Sequence, residues 1–434
     1  MPDGPALNGP PEDPDTEVVG VFRGPWDTGR ITKDGAVLGF EDVSRAFSDA
    51  ADAGDFKLVT ADIAIFRDYR RIHAFLAACD VVYANCGPWA ALLHLVRDRE
   101  QLDVRIIREV RTVGWIGYIW QEEVASQLAR PGDKRVFPSR YARDIWDATD
   151  QGVSESRIYY PMIRGRSKET PAVRRSVRTV GFFGRFSRDK GFDYLPGVIS
   201  RLLADGHRIN RLVLAGEQDD PVLYVSVVSD LSDIGVEVSF RGSLPNDQAR
   251  ALMAECDCIL FLSVSSIESL GRVMVEASEQ GVPVVTADFG AARDLVNAGY
   301  RIPVDYRAAA SGHCDAGFPL AQLDLGRWEP PVNLTSDACF RHSVRQYSAA
   351  AQTPADILRS AAAELPGDPQ PQVFSFVSQA NSLELGHDLL DKPGALLNAP
   401  IAEMVDLGGT LKQYLLSNGY NPRVSFQPRA KGTL

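Results

Sequence analysis

Two carboxylates eight positions apart, Glu268 and Glu276, give the first chemical signal in this sequence. Residues 258–262 before them form a short apolar run that reads as a buried strand. Residues 273–281 read as a helix stopped by Gly281, and the run from Val282 to Thr286 reads as the next strand. Glu268 therefore falls in a strand-to-helix turn, with Glu276 about two helical turns further on. Ser269, Leu270 and Gly271 are expected to open that helix with free backbone N–H groups, where the amides and the helix dipole favour a phosphate. Two carboxylates beside such a site would repel phosphate, and their natural partners are hydroxyls. A diphosphate flanked by two polyol groups, as in a sugar nucleotide, meets both demands.

A cationic turn lies upstream. Residues 179–183 read as a strand, and the turn after it, 184–191, carries Arg185 and Lys190 and ends in Gly191. An Arg and a Lys between strand and helix suit the two phosphates of such a ligand. The plainer alternative is an exposed basic turn. The following helical stretch, 192–205, contains Pro196 and Gly197, which weaken its early part.

The elements that must position these residues alternate along the chain. Strands are expected at 17–22, 56–60, 80–85, 104–110, 211–216 and 236–242, with helices at 42–51, 70–78, 90–97 and 141–148, the last capped by Ser139. Such alternation argues for parallel, doubly wound sheets, whose ligands sit at the carboxyl ends of the strands. In the first half that rule points at Asn85, Arg111 and Ser139. Arg111 stays protonated and cannot serve as a base, although it could hold an acceptor phosphate or carboxylate. The alternative is an ion pair with a local acid such as Glu109. Gly24, in the turn after the first strand, would let backbone approach a ligand, or mark a plain surface turn. Trp115, Tyr118 and Trp120 are either core packing or a stacking platform for an acceptor.

Glu268, Ser269, Leu270, Gly271, Glu276 and Ala277, closed by Gly281-Val282-Pro283, resemble the E-x7-E signature of family 4 glycosyltransferases, with Arg185 and Lys190-Gly191 matching the family's basic turn. Residues 175–300 carry the resemblance, and 17–165 carry it more thinly. It implies an α/β fold of two Rossmann-like doubly wound domains facing across a cleft (GT-B). It also implies a retaining enzyme that moves a hexose from a nucleoside-diphosphate sugar to an acceptor that the residues do not identify. By resemblance, Arg185 and Lys190 grip the donor's phosphates, Glu268 positions the transferred sugar, and Glu276 meets the ribose. Gly242 and Leu244, in the loop after the 236–242 strand, face the base. Many relatives carry a His where Arg111 stands here. No cofactor and no metal is implied, and the adjacent Asp219 and Asp220 are read as a loop pair. The expected division is a disordered lead-in at 1–16, an acceptor domain at 17–165, a donor domain at 176–400, and a crossover helix and tail at 401–434. Two alternatives remain: a non-catalytic binder of sugar nucleotides, and a sugar-phosphate synthase or phosphorylase of similar fold.

Bulk properties exclude other classes. The net charge of −11 argues against a nucleic-acid binder. No apolar run nears the ~20 residues of a spanning helix. No G-x-G-x-x-G follows a strand, which disfavours a nicotinamide dehydrogenase. The six cysteines lack zinc-finger spacing, and the expected setting is reduced and cytoplasmic. A homo-oligomer stays open.

Overall fold

The computed structural model describes residues 16–23, 35–111, 125, 128–149, 155–158, 177–265, 268–305, 321–341 and 354–359. Gly24, the aromatic residues Trp115, Tyr118 and Trp120, nearly all of the 1–16 segment and the 401–434 segment lie outside them.

The first half forms a parallel sheet from β1 (Val18–Arg23), β2 (Lys57–Asp62), β3 (Val81–Ala84), β4 (Arg105–Glu109), β5 (Lys134–Phe137) and β6 (Glu155–Ile158), in the order β2-β1-β3-β4-β5-β6. Because side chains alternate across a strand, adjacent residues feed opposite layers. Val82 and Ala84 join Phe22, Phe75 and Leu93 on one face, and Val81 and Tyr83 join Val19, Phe47 and Ile107 on the other. That is why β3 reads as an unbroken apolar run. Helices α1 (Gly35–Asp52), α2 (Tyr69–Ala77) and α3 (Ala90–Glu100) cover the sheet.

The second half forms another parallel sheet from β7 (Thr179–Phe183), β8 (Arg211–Ala215), β9 (Glu237–Phe240), β10 (Cys258–Phe261), β11 (Val284–Ala287) and β12 (Arg301–Ile302). Its order is β12-β11-β10-β7-β8-β9. The chain steps outward from β7 to β9 and returns on the other side of β7 as β10. The order therefore reverses between β7 and β10, and a crevice opens at their carboxyl ends. The resulting architecture is the expected one, two doubly wound α/β sheets in the GT-B manner.

The further α-helices among the described residues are α4 (Arg140–Thr149), α5 (Leu195–Ala204), α6 (Pro221–Asp233), α7 (Asn246–Met253), α8 (Arg272–Glu279), α9 (Ala292–Leu295), α10 (Ser336–Cys339) and α11 (Pro354–Arg359). Pro196 sits in the first turn of α5, where its missing N–H costs nothing. The Asp219–Asp220 pair, expected in a loop, leads directly into α6. Asp220 caps it by accepting a hydrogen bond from the Leu223 N–H at 2.9 Å, with Pro221 as the first helical residue. Among the described residues no helix is long and apolar enough to cross a membrane.

The two halves are joined by packing as well as by chain. Val110, Phe137, Tyr141 and Ala142 of the first half are buried in the core of the second. The Tyr141 ring meets Phe289 edge-on at 5.0 Å. The Arg140 N–H donates to Asp294 Oδ2 at 3.0 Å, and the Asp294 side chain is fully buried. Further along, α11 lies back on the first half. Ile357 and Leu358 share a core with Val43 and Phe47 of α1, and Lys134 Nζ donates to the Leu358 carbonyl at 3.3 Å. This described return to the first half thus comes ahead of the 401–434 stretch.

Candidate functional site

The loop after β7 carries Arg185 and Lys190, and the loop after β10 carries Glu268. They lie side by side because β7 and β10 are neighbours at the point where the sheet order reverses. A backbone bond stitches the loops together, the Val264 N–H donating to the Asp189 carbonyl at 3.0 Å, and Ser263 Oγ lies 3.3 Å from the same oxygen. Gly191 permits this closeness. Its backbone is left-handed, with φ +69°, and a Cβ there would stand 2.1 Å from the Leu262 carbonyl oxygen.

Three donors surround Glu268. Lys190 Nζ donates to Oε2 at 2.6 Å, Ser263 Oγ donates to Oε2 at 3.2 Å, and the Gly271 N–H donates to Oε1 at 3.1 Å. Burial pushes this carboxyl up. The Lys190 ammonium, with the bonds from Lys190, Ser263 and Gly271, more than offsets that and holds it below its ordinary value. Glu268 is therefore ionised across the neutral range. About a fifth of its side chain stays open (20%), as does a quarter of that of Lys190 (25%), so the pair is reachable from the crevice.

Arg185 is half exposed and forks between Asp219 and Asp189, each at 3.0 Å. It lies in the same loop as Lys190 but is bonded to a different pair of acids.

The start of α8 differs in detail from the sequence expectation. The helix begins at Arg272, with Gly271 as a left-handed N-cap at φ +72°. The Gly271 N–H is turned onto Glu268 rather than left free. A Cβ at Gly271 would lie 2.5 Å from the Phe261 ring, so the close packing of β10 against this turn requires glycine. The Leu270 side chain is buried in the core. Ser269 faces the first half, its carbonyl accepting from Ser139 Oγ. Ser139 also accepts from the Ala142 N–H at 3.1 Å, and so caps α4 while touching the opposite domain.

Glu276 is 4% exposed. Its Oε1 accepts from Asn246 Nδ2 of α7 at 3.1 Å and from Arg272 Nε at 3.3 Å. Gly242 has φ +69° with open space around it, and its carbonyl accepts from the Gly216 N–H at 2.9 Å, tying the loops after β8 and β9 together. Leu244 packs against the second core.

Residues from the first half behave differently. Arg111 binds Glu109 through Nε at 2.7 Å and Nη2 at 2.9 Å, the ion-pair alternative of the sequence reading. Its guanidinium also lies against Gly39 of α1, where a Cβ would stand 2.6 Å from Nη1. Asn85 is buried and exchanges both of its amide bonds with the Phe22 backbone, closing the ends of β1 and β3. Sequence reasoning missed Ser263, Asn246, Arg272 and Asp42, none of which stands out by residue type or spacing.

The crevice thus combines two basic side chains and a solvent-reachable carboxylate, with a second, buried carboxylate on α8, the helix that follows. Residues 166–309 match the family model for glycosyl transferases, group 1. Both sides of the crevice described above, Arg185 to Gly191 and Glu268 to Glu276, fall within this group 1 match. A 2-deoxystreptamine glucosyltransferase of Streptomyces kanamyceticus is 33% identical over 118 residues, which cover 27% of this chain and 29% of the relative. A glycogen synthase of Halorhodospira halophila is 26% identical over 186 residues, covering 41% of this chain and 36% of the relative. The matched part spans about a third of the length of these relatives. Among solved structures, Anabaena HepE in complex with UDP aligns over 92% of this chain and 100% of its own, with a TM-score of 0.49 and 16% identity.

Proposed function

We propose that this protein is a glycosyltransferase that uses a nucleoside-diphosphate hexose and retains the anomeric configuration. The observation that carries the proposal is the meeting of the Lys190 turn and the Glu268 turn at one sheet crevice, at 2.6 Å. The donor's diphosphate lies against the basic turn, with Lys190 and Arg185 exchanging their carboxylate partners for phosphate oxygens. Negative charge grows on the leaving diphosphate as the bond to the anomeric carbon breaks, and preorganised cations facing it lower the barrier. Glu268, ionised and reachable, accepts hydroxyls of the transferred sugar. Glu276 accepts a ribose hydroxyl, and the loop of Gly242 and Leu244 faces the base. The departing phosphate oxygen takes the acceptor's proton on the face it leaves, which keeps the configuration without a protein base. Arg111, bound to Glu109, shapes the acceptor side rather than titrating there.

The relatives named above are a glucosyltransferase and a glycogen synthase, so glucosyl donors head the test. Thermal melting with uridine, guanosine, thymidine and adenosine diphosphate glucoses is expected to show one base raising the midpoint well above the rest. Proton NMR of the product formed from that donor then reads the anomeric configuration. No shift with any sugar nucleotide, but a shift with glucose 1-phosphate, would favour a phosphorylase. Binding without slow donor hydrolysis or transfer would favour a non-catalytic binder.

A further inference from the structure

We propose that Arg272 is a positioning residue that ties the Glu276 carboxylate to the first domain through Asp42, so that ribose recognition depends on the two domains being together. The proposal rests on the reading of Glu276 as the ribose-side carboxylate. Arg272 is the first residue of α8, and its side chain is 12% exposed. Its Nη2 lies 2.9 Å from Asp42 Oδ2 on α1, 230 positions away in the chain, and 3.3 Å from Glu276 Oε1 one helical turn on. One guanidinium thus joins a carboxylate of each domain. Among the described residues, both donors to Glu276, Asn246 and Arg272, converge on Oε1. Oε2 is left for a hydroxyl.

A carboxylate this deeply buried needs a charged partner, and here Arg272 supplies it. The next acid on the helix, Glu279, is paired with Arg250 of α7. Asp42 fixes the guanidinium from the far side. Without Asp42 the Arg272 side chain regains rotamer freedom, and Oε2 is no longer aimed by a rigid fork. The first domain thereby contributes to donor binding without touching the donor.

The test uses the full chain and three pairs of probes: the diphosphates of uridine, guanosine and adenosine, each with its 2′,3′-dideoxy counterpart. Calorimetry on the unaltered protein picks the best-bound pair and measures the preference for ribose. Asp42→Asn, checked for an unchanged melting midpoint, is expected to weaken the ribose ligand five- to ten-fold and leave the dideoxy ligand within two-fold. In an Arg272→Lys background, which loses the fork, Asp42→Asn is expected to add nothing. Equal weakening of both ligands, no weakening of either, or independent effects of the two substitutions would overturn the inference. Failure of the unaltered protein to bind any of these diphosphates, or thymidine diphosphate, would instead remove the sugar-nucleotide reading itself, and the inference with it.

Discussion

Lys190 Nζ lies 2.6 Å from Glu268 Oε2, although 78 positions separate the two residues in the chain. The ammonium helps to keep the carboxylate ionised. Lys190 is the main influence opposing burial at Glu268, and Glu268 orients the lysine across the crevice rather than into bulk solvent.

Lys190→Ala should therefore do two things. It should lower kcat/KM for the donor by about 10²-fold, the scale for losing one preorganised donor to a developing oxyanion. It should also raise the Glu268 carboxyl, because burial then acts with less opposition. The acidic limb of a pH–rate profile would move to higher pH. A profile that keeps its acidic limb while activity falls would separate the lysine from the carboxylate.

Gly191→Ala should cost more than an ordinary substitution at a positive φ. Strain of this kind is about 1–3 kcal/mol. Here a Cβ would also stand 2.1 Å from the Leu262 carbonyl and push the two loops apart. Gly206, at φ +93° with nothing within 4 Å, is the control and should show the strain alone. Urea denaturation measures both variants. Equal losses would mean that the loop contact relaxes freely.

Glu279→Gln should flatten the pH dependence of stability. Burial pushes this carboxyl from 4.5 up to about 7, against the pull of Arg250. Because the folded value lies above the unfolded one, the favourable contribution is whole below about 4.5 and is lost as pH rises through about 7. The loss is on the order of 3 kcal/mol for a shift of this size. Melting midpoints of the two proteins between pH 4.5 and 8 should converge at the acidic end and diverge towards the basic end, with the variant higher.

Asp133→Ala should unfold the first domain's corner and leave the crevice chemistry alone. Asp133 accepts from both terminal nitrogens of the buried Arg97 at 2.7 Å, and from the Ile106 and Arg130 N–H groups. Beside them His94 is kept neutral, since burial and the neighbouring Arg97 hold its imidazole well below its ordinary value. Leaving Arg97 without its partner is expected to cost about 3–5 kcal/mol. At a temperature where the variant stays folded, its donor KM should match the parent. A raised KM would connect this cluster to the site.

The sequence determined the parts whose signal is local. Residues 179–183 and 258–262 read as strands because a sheet covered on both faces demands unbroken apolar runs, and β7 and β10 lie within them. Arg185, Lys190, Glu268 and Glu276 stood out because strand, turn and helix are consecutive in the chain, so a residue's place in the turn is fixed by its neighbours. Tertiary structure alone decided what these residues touch. The reversal of strand order put the β7 and β10 loops side by side and turned Lys190 onto Glu268. The approach of α1 to the start of α8 gave Arg272 its partner Asp42. Such pairings join residues that are distant in the chain, and periodicity carries no information about which distant charges meet. That depends on how two sheets and their loops come to rest against one another.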